Sequence, residues 1–415
     1  MRRSRPLLAL AVLLPLLADT RAADSPQFRG PDGTGVCTDA RPPAEWDAAR
    51  GVAWKVAVPG VAWSCPVVVG DRVIVTTAFA PGQPKPTGGF GGGKGGGKGG
   101  SGGTPKATYQ FKVVCLDRAT GRPRWEKVAK EARPTVPTHG SNTYATETPV
   151  TDGERVYAYF GMTGLFCYDL DGKEVWAKDL GSYPMQAGWG TASSPVLAGD
   201  RLVVQCDNEE KSFLVALDET TGKELWRAGR PERSGWSTPF VWRTKGRTDL
   251  VAAGGQKVRG YDPAGGRVVW ELDVGGGQCL ASPVGEAERL YVGVGPGGGG
   301  SGGAKGGGGG AGRAAGTLFA VKAGATGGIT PKAGAATSDG VAWSAPRAWP
   351  GAASPLVYDG RVYVLDRNGG RVSCFDATTG KPAYAGERVP GARAFWASPS
   401  AARCSASTRP GRRTC

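Results

Sequence analysis

Residues 192–227 read ASSPVLAGDRLVVQCDNEEKSFLVALDETTGKELWR, and this stretch decides the fold. Ser194-Pro195 leads into a Gly199-Asp200 turn and an alternating apolar run from Leu202 to Cys206. A polar turn follows, then a second run ending at Leu217. The tight turn Asp218 to Gly222 passes the chain to Lys223-Glu224-Leu225-Trp226. Short period-two runs punctuated by Gly and Asp predict four antiparallel strands. One such sheet cannot bury both of its faces alone, so the pattern demands neighbours of its own kind.

Those neighbours are written in the chain. The leading proline recurs at Pro66, Pro149, Pro195, Pro239, Pro283, Pro355 and Pro399, with spacings of 83, 46, 44, 44, 72 and 44. A four-stranded unit of about 44 residues is the sequence signature of a β-propeller blade. The two long spacings contain glycine-rich inserts, about 81–106 and 295–313, whose composition is that of flexible coil. The closing turn also repeats, as Asp117…Gly121, Asp169…Gly172, Asp218…Gly222, Asp262…Gly266 and Asp376…Gly380. Four residues after each glycine stands an aromatic, Trp125, Trp176, Trp226, Trp270 or Tyr384. Asp caps such a turn through its own backbone and Gly supplies the positive φ that reverses the chain. The aromatic then falls at a fixed phase on the outermost strand, where it is expected to dock on the neighbouring blade. The predicted fold is therefore an all-β propeller over residues 51–399 with six complete blades and the opening of a seventh.

Both ends of the chain bear on that count. Residues 1–22 read as a secretory signal: Arg2, Arg3 and Arg5, an apolar core from Leu7 to Ala18, and Thr20-Arg21-Ala22 at the cleavage point. No other segment is apolar enough to cross a membrane, so a periplasmic or extracellular protein is expected. Residues 23–50 form a turn-rich extension. Gly51 to Val58 then reads as an outer strand with Trp54 in the docking phase. An outer strand ahead of any blade predicts ring closure, in which it completes a last blade begun by the C-terminus. The fifth blade is placed from Ser282 to Trp343 and the sixth from Ser354 to Tyr384. A seventh opens with Trp396-Ala397-Ser398-Pro399, and the pattern then fails. Residues 400–415, SAARCSASTRPGRRTC, carry no alternation and read as an aberrant or frame-shifted tail.

Composition removes several classes of function. The formal charge of +15 comes largely from Lys and Arg in the leader, tail and inserts, which argues against a nucleic-acid surface. Of nine cysteines, Cys115, Cys167 and Cys374 each stand two residues before a turn aspartate, where other repeats place Ala216, Gly260 and Ala320. Cys65 replaces the Ser or Thr before a leading proline. Equivalent positions on different blades lie too far apart for a disulfide, so mostly free, buried thiols are expected. The single histidine, His139, excludes a multi-histidine metal site, and no Cys-x-x-Cys-His is present. The two G-x-S-x-G matches, Gly99 to Gly103 and Gly299 to Gly303, lie in glycine tracts and are no nucleophile elbow.

The candidate site is the mouth ringed by the segments that lead into the innermost strands. His139, Asn142 and Tyr144 precede Pro149, and Trp189 precedes Pro195. Trp63, Trp236 and Trp396 each stand three residues before their proline. A tryptophan ring with one His and one Asn suits a flat or sugar-like ligand. The competing reading makes the same tryptophans wedges between blades.

The repeat S-P-V…G-D-R-[VL]…[CA]-[LY]-D-x-x-[TD]-G-[KR]-x-x-W resembles the tryptophan-docking repeat of the pyrroloquinoline-quinone (PQQ)-like β-propellers and spans nearly all of Gly51 to Pro399. Pro26 to Gly35, PQFRGPDGTG, is similar to the exported planctomycete-type members. The resemblance covers quinoprotein alcohol dehydrogenases and a non-catalytic propeller lipoprotein of outer-membrane assembly. It implies a propeller of seven, possibly eight, blades in all but not a cofactor, because the shared repeat is structural. The dehydrogenases use a vicinal Cys-Cys disulfide, which this chain lacks, and a calcium ion beside PQQ. Three functions follow: a non-enzymatic exported binding or scaffold module with a protein or polysaccharide partner, a PQQ- and calcium-dependent dehydrogenase, and a carbohydrate binder using the rim tryptophans.

Overall fold

The computed structural model describes residues 24–37, 45–47, 50–83, 103–295, 316–365 and 370–388. The leader, most of both inserts, Trp396, Pro399 and residues 400–415 lie outside the described residues. What is described is six sheets, each a four-stranded antiparallel meander in chain order, one of them extended by a fifth strand. Blade 1 comprises Val67–Val69, Arg72–Phe79, Tyr109–Asp117 and Pro123–Ala132. Blade 3, the stretch quoted first, comprises Val196–Leu197, Arg201–Cys206, Phe213–Asp218 and Glu224–Gly229. Blades 2, 4, 5 and 6 begin at Val150–Thr151, Phe240–Arg243, Val284–Gly285 and Leu356–Tyr358. Innermost strands of successive blades touch, and apolar clusters fill the spaces between neighbouring sheets.

The Asp–Gly turn forms as its chemistry requires. Asp117 Oδ1 accepts from the backbone of Ala119 (3.1 Å) and Thr120 (2.9 Å), and Gly121 N donates to Asp117 O at 2.8 Å with φ at 69°. The small-residue slot lies directly across the ladder from the docking aromatic. Cys115 pairs with Trp125, Cys167 with Trp176, Ala216 with Trp226, Gly260 with Trp270, Ala320 with Trp343 and Cys374 with Tyr384. A register shift follows each of these pairs, so one bulge recurs in all six described blades and tilts the aromatic out of its own sheet.

Four of these aromatics, all indoles, then cover the turn of the next blade. Trp125 Nε1 donates to Leu170 O (2.9 Å), Trp176 to Glu219 O (3.0 Å), Trp226 to Pro263 O (2.9 Å) and Trp343 to Ala377 O (3.1 Å). A Cβ added at Gly172, Gly222, Gly266 or Gly380 would meet that indole at 2.5–2.7 Å. Glycine is therefore required twice in each turn, for its φ and for its missing side chain. Trp54 does the same to blade 1, donating to Arg118 O at 2.8 Å over Gly121. Gly51 to Val58 thus occupies the place of a preceding blade's outer strand, although it belongs to no sheet among the described residues. A strand needs a ladder partner, and the one expected here lies beyond Pro399.

Three expectations are corrected. Trp270 does not dock on blade 5, which lacks the Asp–Gly turn; its indole turns inward, fully buried, and Nε1 donates to Asp249 Oδ2 at 2.9 Å. The 323–340 connection replaces the missing turn, and Gly327–Gly328 adds a parallel fifth strand beside Trp270 and Glu271. Ala325 and Ile329 from that connection pack in the same core as Trp270. Cys65 is exposed rather than buried. Finally, the extension, read from the sequence only as turn-rich chain ahead of the first repeat, is bonded to the blades. Ser25 pairs with Val68, Thr151 N donates to Pro26 O (2.9 Å), and Arg29 Nη2 reaches Pro355 O (2.7 Å). Residues 24–37 thereby cross the end of the channel where the innermost strands finish.

Candidate functional site

The opposite end of the channel, where the innermost strands begin, forms a cup of about 280 Å³. Among the described residues its wall is an open circle of hydrogen bonds from Cys65 to Ser354, built by one position of the repeat. Cys65 N donates to Thr148 Oγ1, Thr148 N to Ser194 Oγ, Ser194 N to Thr238 Oγ1, Thr238 N to Ser282 Oγ and Ser282 N to Ser354 Oγ, all at 2.9–3.0 Å. Each hydroxyl stands before a leading proline and ties its blade to the blade before it. Each Oγ accepts a backbone N–H there, so its own proton is left to donate toward the lumen it lines. The signal was legible as Ser or Thr before proline, but what it bonds to lies one blade away.

Above the circle stand the aromatics. Trp189 and Trp236 lie with ring centroids 5.4 Å apart, tilted by 39°, and His139 meets Trp189 edge-on at 6.4 Å. Trp236 is 8 % exposed with Nε1 on Gly190 O (2.7 Å), whereas Trp63 is 41 % exposed with Nε1 on Ser141 O (3.0 Å). Asn142 does not face the ligand space with its amide alone: Nδ2 donates to Trp189 O (2.8 Å) and Oδ1 accepts from Thr143 N (2.8 Å), fixing the Trp189 loop. His139 Nδ1 accepts from Ser141 N at 3.1 Å and lies 2.7 Å from Ser141 Oγ, so a neutral ring carries its proton on Nε2. Tyr144 is not in the cup. It is buried against Tyr109, and its hydroxyl donates to Val136 O at 3.1 Å. Trp396 lies outside the described residues. Phe28, from the extension, forms the floor and was not foreseen; its only sequence signal was one large apolar residue in a run of turn formers.

The loop carrying Trp236 is anchored by buried charge. Arg230 grips Asp207 with Nε on Oδ1 (2.7 Å) and Nη2 on Oδ2 (3.0 Å), both side chains fully buried, and Nη1 donates to Tyr261 Oη (2.8 Å). Gly235 N donates to Asp207 O and Trp236 N to Cys279 O (2.9 Å), so the backbone before the indole is tied to the residue that holds Arg230. Glu147, between the lining residues Thr146 and Thr148, points away from the lumen into the wall. Burial pushes its carboxyl up to about 7, against the pull of the neighbouring Thr191 hydroxyl, and its Oε1 takes no hydrogen bond.

The family model described as outer membrane protein assembly factor BamB matches residues 81–228, 210–298 and 254–407. The chain belongs to this PQQ-like propeller family. No curated protein matches it. Among solved structures, BamB from Moraxella catarrhalis is 15% identical with a TM-score of 0.40, covering 67% of this chain and 69% of that one. A europium-containing methanol dehydrogenase is 12% identical with a TM-score of 0.47, covering 81% of this chain and 80% of that one. The quinohemoprotein alcohol dehydrogenase of Comamonas testosteroni is 14% identical with a TM-score of 0.47, covering 88% and 73%.

The cofactor that gives these propellers their name does not fit the described lining. PQQ bears three carboxylates, and calcium takes six to eight oxygen ligands that include carboxylates. The described lining contains no Arg, Lys, Asp or Glu. Among the described residues no three His, Cys, Asp or Glu side chains come together as a metal site. Ser141 and His139 share one local turn, and the described lining includes no Asp or Glu.

Proposed function

We propose that this PQQ-like propeller is a non-catalytic binding module of the cell envelope that holds a neutral saccharide in its mouth cup. The observation that carries this reading is the lining itself: exposed and half-buried tryptophans above five hydroxyl groups, with no charged side chain among the described residues. Aromatic faces bind the apolar faces of sugar rings, and hydroxyl donors match sugar oxygens without the desolvation cost of a buried charge. The leader at 1–22 and the family's description as an outer-membrane assembly factor support an envelope setting.

Tryptophan fluorescence titrated with neutral glucan, mannan, xylan and chitin oligosaccharides tests this reading. A saturable change is expected with at least one of them. Trp189→Ala should weaken it by about tenfold or more, the equivalent of one stacking contact of roughly 1.4 kcal/mol. Stoichiometric uptake of PQQ with calcium, alongside no response to any saccharide, would overturn it. Mass spectrometry of the secreted chain, beginning near residue 23, would test export.

A further inference from the structure

The channel is closed at one end by the protein's own N-terminal segment, and this bears on which part of a glycan the cup can hold. Residues 24–37 are bonded to several blades, from the far ends of the innermost strands up to a leading proline. Ser25 exchanges hydrogen bonds with Val68 of blade 1 (2.9 and 3.0 Å), Thr151 N of blade 2 donates to Pro26 O (2.9 Å), and Arg29 reaches Pro355 O of blade 6 (2.7 Å). Gly33 lies against Phe240 of blade 4, with room for a Cβ 3.5 Å from that ring. Between these anchors Phe28 projects into the channel. It lines the mouth cup on one side and, on the other, a separate small cavity bordered by Arg29 and Asp32. Thr238 and Ser282, like Phe28, border both spaces.

We infer that the cup reads the end of a saccharide chain, one terminal ring at a time, and not an internal segment. This rests on the saccharide reading above and adds its geometry. The cup's 280 Å³ is at the lower edge of small-ligand sites, about enough for one or two sugar rings. A ring that descends to the hydroxyl circle meets Phe28, and the rest of its chain must leave by the mouth. An internal residue has chain on both sides; it can lie across exposed Trp63 at the rim, but it cannot reach Thr148, Ser194 or Thr238 without a far exit.

The test compares linear glucans with cyclic ones that have the same linkage and no ends: maltohexaose against cyclomaltohexaose, and laminarihexaose against cyclic β-1,3-glucan, with methyl α- and β-glucosides as single rings. For the linkage that binds, the linear chain should bind at least about tenfold more tightly than the cyclic one, and the matching glucoside within about threefold of the linear chain. Phe28→Ala, which removes the floor, should weaken the single ring by about threefold or more. Equal affinity for linear and cyclic chains, affinity that climbs with each added ring, or an unchanged Phe28→Ala overturns chain-end recognition while leaving saccharide binding intact. If no glucan binds and the other neutral oligosaccharides also fail, both readings fall together.

Discussion

The glycine of each closing turn serves two physical roles, and one pair of substitutions in blade 3 separates them. Gly222 has φ at +69° and lies under the Trp176 indole, where a Cβ would stand 2.7 Å from both Cδ2 and Cε3. Gly199, in the turn between the first two strands of the same blade, has φ at +68° and nothing within 4 Å. Alanine at either site meets the same left-handed backbone penalty, roughly 1–2 kcal/mol, and the same change in the unfolded chain. Only Gly222→Ala also forces the indole to retreat by about 0.7 Å, from 2.7 Å to the 3.4 Å where ordinary contact begins. That movement strains the Nε1 bond to Glu219 O, now 3.0 Å, worth about 1 kcal/mol, and overpacks the interface for about 1–3 kcal/mol more. Gly222→Ala should therefore destabilise by about 2–4 kcal/mol more than Gly199→Ala, read as a shift of the guanidinium midpoint at unchanged m. In a Trp176→Ala background the difference should shrink to within about 0.5 kcal/mol, because the atom met by the new Cβ is gone. Equal costs in the parent, or a difference that survives loss of the indole, would refute the docking account.

Glu147 makes stability depend on pH. Its folded pKa of about 7 lies above the ordinary value of 4.5, so its contribution is complete below pH 4.5 and is lost as pH rises toward 7. Glu147→Gln should flatten a decline of at most roughly 3 kcal/mol across that window in urea titrations at fixed ionic strength. Asp207→Asn strands the buried Arg230 guanidinium and should cost about 3–5 kcal/mol, with a change in Trp236 fluorescence because the pair holds its loop. Of the seven cysteines among the described residues, none is in a disulfide, and only Cys37 and Cys65 are exposed. Burial raises the Cys115 thiol to about 11 and the Cys167 thiol to about 12. A thiol reagent at pH 8 should accordingly label Cys37 and Cys65 fast and reach Cys115 and Cys167 only in denaturant.

The six complete blades, their strand order and four of the docking tryptophans were legible in the sequence because their causes are local or periodic. An aspartate three or four residues before a glycine makes its turn whatever surrounds it, alternation fixes which face is buried, and a period near 44 says the unit is repeated. The small-residue slot was visible for the same reason, and the sheet register then explained it as the position opposite Trp125 and its counterparts. Trp270 follows an Asp…Gly turn at the same spacing as Trp226 yet has a different fate. Its shelf must come from blade 5, whose turn is missing, and a chain cannot show in one repeat what the next one fails to supply. The mouth was placed by topology, but its contents were not fully read. Tyr144 sits two residues from Asn142 and faces a core, Glu147 faces the wall between two lining threonines, and Phe28 closes a channel whose walls lie from about 40 to more than 300 residues further on. Pairing between distant segments is decided by which surfaces meet when the ring forms, and that is a property of the packed ring rather than of any stretch of chain.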